Sequence, residues 1–203
     1  MAEGVLLIGP SGSGKSASTR NCSPEDSFYI NVIGKRVPYK SNWKSQVIDP
    51  LPPPNLSPEQ VAIGLGEKLE KDTTMLKTDN GKLLEAAILY IDEHRPEIKK
   101  IFVDDWQYVP ANQFMRRASE KGYEKFTQIG REIWSMANVV SRLKRDDLIV
   151  YFLTHDEEMR DAEGNKTMKA KTIGKLVDDK ITLEGMFTEG AFCVAVLFSF
   201  KLV

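Results

Sequence analysis

The sequence predicts an α/β fold with a mainly parallel central sheet flanked by helices, in a single domain over residues 1–203. Two observations carry that expectation. Short, wholly apolar runs such as "VLLIG" (5–9), "IFV" (101–103) and "LIVYFL" (148–153) have the composition of strands buried on both faces of a sheet. They alternate with longer stretches of helical periodicity, which is how parallel strands are connected.

Taken in order, "VLLIG" runs straight into a glycine-rich turn. A helix starts near Gly14 and ends before "NCSPED", where Pro24 breaks it. "SFYINVIG" (27–34) reads as a second strand. A proline-rich excursion covers about 35–60, where "PYKSNWKSQVIDPLPPPNLSPEQ" carries six prolines and can be neither a helix nor a central strand. It reads as a surface connection, or as a lid or a base-contacting loop with Tyr39 and Trp43 as candidate stacking rings. "LSPEQVAIGLGEKLEK" predicts a helix capped by Ser57 with Pro58 at its first position. "TDNGKLLEAAILYIDEHRPE" predicts another, with Leu83, Leu84, Ala87, Ile88 and Ile91 on one stripe and Pro96 ending it. After the strand at 101–103, Phe126, Ile129, Ile133, Met136, Val140 and Leu143 recur at helical spacing, with Trp134 beside them as a packing residue. "LIVYFL" is the next strand, and the apolar run 191–198 reads as a last one.

Bulk properties narrow the function classes. A net charge of −1 over 203 residues means that any polyanion site must be a local basic patch. Cys22 and Cys193, far apart and accompanied by only two histidines, exclude a Cys/His zinc site and provide no disulfide framework. The opening "MAEGVLLIGP" has no basic region and too short an apolar run for a signal peptide, and "AFCVAVLF" is far below membrane-spanning length. A reducing cytoplasmic setting without a membrane partner is the expectation.

The chemistry sits where strands end. Gly9 to Ser16 match G-x-x-x-x-G-K-[ST] without deviation, a match expected by chance in roughly one chain per hundred of this length. Here an apolar strand precedes it and a helix follows, as a phosphate loop requires. Glycines let backbone N–H groups turn inward on phosphate oxygens, and the helix start adds partial positive charge. Lys15 would reach the β- and γ-phosphates and the Ser16 hydroxyl would ligate Mg²⁺. Gly9, Ser11, Gly12, Ser13, Gly14, Lys15, Ser16 and Ala17 are therefore the candidate nucleotide contacts. Asp104, after three apolar residues, is the candidate carboxylate that holds Mg²⁺ through its water shell. Asp105 is either the base that takes the proton of the attacking water or a solvated turn residue. Thr154 and His155 end the next strand, where polar groups could sense the γ-phosphate.

These segments, together with "DDWQYVPANQFMRRASEKGYEKFTQIG", "LIVYFLTHDEE" and "KTIGKLVDDKITLEGMF", resemble the bacteriophage-encoded RecA-like/AAA P-loop ATP-binding proteins, whose relatives assist single-strand annealing and recombination. The resemblance runs from Gly4 to about Phe198. It implies a RecA-like P-loop NTPase core, ATP and Mg²⁺ as cofactors, Asp104 as the metal-linked acid and His155 as the polar sensor. The glutamate that RecA carries at the end of the strand after its first helix has no counterpart in "YINVIG", so Asp105 takes the base role by position. The "EGAFCVAVLFSF" ending also departs from the family's usual final strand. Further implications are a homo-oligomer, contact with single-stranded DNA and with a single-strand-binding protein, and the cytoplasm of a bacterial host.

In such cores the loops after the metal-acid strand and after the sensor strand face nucleic acid. Here they hold Arg116, Arg117, Lys121 and Lys125, and then Lys166, Lys169, Lys171 and Lys175 behind five acids between Asp156 and Glu163. Lys171 or Lys175 could instead reach a neighbouring subunit's nucleotide. Two rival functions share the same phosphate loop: a nucleotide or small-molecule kinase, and a nucleotide-gated adaptor with slow hydrolysis.

Overall fold

A computed structural model describes residues 1–160, 166–171 and 183–193 of the chain. The elements run β1 (Glu3–Ile8), α1 (Lys15–Ser18), β2 (Ser27–Asn31), β3 (Ser45–Gln46), α2 (Pro58–Lys68), β4 (Met75–Lys77) and α3 (Gly81–His94). They continue with β5 (Lys100–Asp104), α4 (Tyr108–Arg116), α5 (Glu124–Ala137), β6 (Ile149–Thr154), β7 (Asp156–Arg160), β8 (Lys166–Ala170) and β9 (Glu189–Phe192). Seven strands form one sheet in the order β3-β4-β2-β5-β6-β1-β9, every pairing parallel, while β7 and β8 form a separate antiparallel hairpin. The sheet is flanked by helices, so the α/β architecture with a mainly parallel sheet is the one expected.

Alternation along the strands divides the interior into two unequal cores. Leu6, Ile8, Phe28, Ile30, Ile101, Val103, Val150 and Phe152 point to one face and meet α2, α3 and α5 in the main core. Tyr29, Phe102 and Leu153 point to the other, where a small, largely aromatic cluster is closed by Val37 and Trp43 of the proline-rich excursion. One face is thus covered by helices and the other by this smaller cluster. The stripe expected on α3 holds throughout, with Leu83, Leu84, Ala87, Ile88 and Ile91 all buried. Ser57 caps α2 as expected, its hydroxyl accepting from the Gln60 amide while the Gln60 side chain accepts from the Ser57 amide.

Several elements differ from the sequence expectation. The first helix is a single α-turn followed by a 3₁₀ turn over Thr19–Asn21. The Ser18 and Thr19 hydroxyls bond the carbonyls of Lys15 and Ser16 three residues back, competing with helix propagation. β3 and β4, of two and three residues, carry too little pattern to be read from sequence. Part of the loop expected to hold Arg116, Arg117, Lys121 and Lys125 is helical, since α4 runs to Arg116 and α5 begins at Glu124. α5 stops at Ala137, and a 3₁₀ turn over Val139–Arg142 keeps Val140 and Leu143 on the core. Phe126 and Trp134 are 36% and 49% exposed, so Trp134 is not the packing residue expected of it. Of the strand expected over 191–198, residues 191 and 192 lie in β9, which begins at Glu189, and residues 194–198 lie outside the described residues. Among the described residues no helix is long and apolar enough to cross a membrane.

Candidate functional site

Register brings the candidate residues to one edge. β6 lies between β1 and β5, pairing Ile8 with Thr154 and Val103 with Phe152, while Asn31 of β2 pairs with Asp104. The carboxyl ends of four strands therefore converge, which is where parallel sheets bind ligands. They border a cleft of ≈ 320 Å³ whose lining includes Gly12, Lys15, Ser16, Asp104, Asp105 and His155.

The glycine-rich turn has the backbone its sequence suggested. Gly12 and Gly14 adopt φ +80° and +95°, the left-handed region, with open space where a Cβ would stand. Gly9 is needed for a different reason: a Cβ there would meet the Cys193 carbonyl oxygen at 2.5 Å. The Lys15 ammonium is buried and donates to the carbonyls of Gly9 (2.6 Å) and Pro10 (2.9 Å). Burial pulls it below the usual lysine range, while Asp105 and Asp104 pull the other way. Ser13 Oγ is buried without a hydrogen-bond partner. An acceptor oxygen held in the turn would satisfy it.

On the opposite wall, Ser16 Oγ donates to Asp104 Oδ1 at 3.0 Å and the Tyr29 hydroxyl donates to Asp104 Oδ2 at 2.6 Å. Burial pushes the Asp104 carboxyl above the usual range, and the Tyr29 bond opposes that shift. Burial, then the Asp104 charge, holds the Tyr29 hydroxyl far above the usual tyrosine range. A buried carboxylate beside a hydroxyl is a hard-oxygen pair of the kind Mg²⁺ takes, so Ser16 and Asp104 fit that ion. Asp105 is the one non-glycine residue at positive φ (62°) among the described residues, and its Oδ1 lies 3.4 Å from His155 Nε2. This strained backbone turns a second carboxylate into the cleft. Burial, then Lys15, lowers the His155 imidazole while Asp105 opposes. Thr154 is fully buried behind them.

No protein-family model matches the chain, and no curated protein matches it in sequence.

The structure adds residues that the sequence reading passed over. Tyr29, fully buried on β2, carries the hydroxyl that holds Asp104. Asn31 accepts from the Gly34 amide and donates to the Lys35 carbonyl, holding the turn that brings Lys35 and Arg36 onto the cleft wall. The candidate nucleic-acid residues fare differently. Arg116 pairs with Asp79 and Arg117 with Glu120, both within the fold. Lys125 is buried, donating to the carbonyls of Arg117, Ala118 and Glu120. Lys166 and Lys169 lie on β8, where Lys169 stands opposite Glu157 of β7. Lys171 is exposed, and its amide donates to the His155 carbonyl, which sets it beside the cleft. Lys175 lies outside the described residues.

Proposed function

We propose that this chain binds ATP with Mg²⁺ at the cleft and hydrolyses it, as a P-loop ATPase of the RecA-like class coupled to single-stranded DNA in phage recombination or replication. The observation that carries the reading is the contact of Ser16 Oγ with Asp104 Oδ1, 88 residues apart in sequence. It sets the hydroxyl of the glycine-rich turn and the strand-end acid together beside a buried lysine.

In this reading the amides of the turn hold the phosphate chain, with the left-handed glycines allowing close approach. The Lys15 ammonium leaves its carbonyl partners for the phosphate oxygens and offsets the charge that develops on them. Ser16 and Asp104 would hold Mg²⁺, which when bound neutralises phosphate charge. Asp105 accepts the proton of the attacking water, and His155, kept neutral by burial and Lys15, orients Asp105. Lys35 and Arg36 close the outer wall.

Phosphate release from ATP, measured with and without single-stranded DNA, tests this reading. Mg²⁺-dependent turnover that DNA stimulates and Lys15→Ala abolishes is the expected result. Phosphate transfer to an added nucleoside monophosphate would replace the ATPase with a kinase. Tight ATP binding without turnover under either condition would leave the nucleotide-gated adaptor.

A further inference from the structure

Beyond the phosphate cleft, the excursion builds a surface of different chemistry. Residues 35–43, Ser45, Met75 and Lys77 line an adjoining cleft of ≈ 690 Å³, and Lys35, Arg36 and Pro38 belong to both. This second cleft has four cations, Lys35, Arg36, Lys40 and Lys77, and no acid in its lining. Behind it a third, of ≈ 320 Å³, adds Arg20 and shares Tyr39, Lys40 and Trp43. None of these five cations has an ion pair among the described residues, whereas Arg116 and Arg117 are both paired. In a chain of net charge −1, five unpaired cations without an acid form a local positive field.

The two aromatic residues between the clefts are held in place. The Tyr39 hydroxyl bonds Thr19 Oγ1 at 2.6 Å and accepts from Trp43 Nε1 at 3.3 Å. The Trp43 ring packs 5.6 Å from the buried Tyr29 ring. Both side chains remain partly exposed and line both clefts. Fixed rings flanked by unpaired cations are the two parts of a single-strand platform, since cations follow the phosphates and rings stack on bases that a duplex keeps covered.

We infer that the face built by Arg20, Lys35–Trp43 and Lys77 binds single-stranded nucleic acid. This deepens the proposed function by giving its nucleic acid a place, and it moves that place away from Arg116 and Arg117. Because Lys35 and Arg36 line both the phosphate cleft and this face, a strand lying here would touch the wall of the nucleotide site. Tyr39 carries the same link to the turn after Lys15 through Thr19, whose hydroxyl also bonds the Ser16 carbonyl.

The test is fluorescence anisotropy of a labelled oligo(dT) titrated with the full chain over a range of salt. Lys40→Ala/Lys77→Ala should weaken binding about tenfold and lower the slope of log affinity against log salt by about 1.4, two phosphate contacts at ~0.7 each. Arg116→Ala/Arg117→Ala should leave both unchanged, and thermal unfolding verifies that each variant is folded. Unchanged affinity and slope in the Lys40/Lys77 variant, or equal binding of duplex DNA, would overturn the inference. So would competition by a nucleoside monophosphate that the same variant relieves, which would make the cleft an acceptor pocket. A separate titration of the wild-type chain with a fluorescent ATP analogue keeps the two readings apart: failure there refutes the triphosphate site and leaves the oligonucleotide result standing.

Discussion

Removing one hydroxyl, Tyr29→Phe, probes the junction on which the site is built. The phenylalanine ring keeps the packing against Trp43 (5.6 Å) and Phe102 (6.1 Å), so the perturbation is confined to the 2.6 Å bond to Asp104 Oδ2. A hydrogen bond to an ionised partner contributes about 1.5–3 kcal/mol, and here its loss leaves a buried oxygen unpartnered. For a chain of this size about 1 kcal/mol corresponds to a midpoint shift of roughly 2–4 °C, so ~2 kcal/mol lowers Tm by about 4–8 °C. Differential scanning calorimetry of the ligand-free protein at pH 8 measures this. The difference shrinks towards acid pH, because a bond to a neutral carboxyl is about half as strong. A midpoint within about 1 °C of wild type, or a difference independent of pH, would refute the account of Asp104 as a buried carboxylate held by Tyr29.

Asp104→Asn tests the same junction with the opposite sign. The folded-state pKa of Asp104 is raised, so the native state holds a proton that the unfolded chain has lost, and ligand-free stability falls as pH rises through that raised value. The near-isosteric amide can keep both neighbours, so at pH 8 the variant should unfold on the order of 2–4 °C higher while losing Mg²⁺-dependent nucleotide binding, readable by calorimetry and titration. Gly9→Ala drives a Cβ into the Cys193 carbonyl and should cost about 1–3 kcal/mol in chemical denaturation, with nucleotide affinity falling as the turn shifts. Lys125→Met deprives three carbonyls of their donor and should lower stability by about 2 kcal/mol, with faster amide exchange over 117–124 and unchanged oligonucleotide affinity.

Much of the framework was legible in the chain because burial on two faces leaves an unambiguous mark. "VLLIG", "IFV" and "LIVYFL" are β1, β5 and β6, and the stripe of α3 is where its periodicity put it. The turn of Gly9 to Ser16 was legible because a left-handed backbone demands glycine, as at Gly12 and Gly14. The short edge strands were not, since two or three residues hold no period. The setting of the β8 lysines was not legible either. A run that is basic along the sequence folds against an acidic strand, and Lys169 comes to face Glu157. Arg116 and Lys125 likewise read as free charge until Asp79 and the carbonyls after α4 were brought to them.

By itself, then, the sequence determined the sheet-forming runs, the helical stripe and the glycine-rich turn, all set by local periodicity and backbone conformation. Tertiary structure alone decided that Tyr29 lies beneath Asp104, that Asp105 meets His155, and that Gly9 gives way to Cys193. It also decided which cations are left without an ion pair among the described residues, placing Arg20, Lys35, Arg36, Lys40 and Lys77 around Tyr39 and Trp43. Partners separated by tens of residues leave no periodic trace in the chain. A charge or a hydroxyl is free or spent only once the fold has chosen its neighbours.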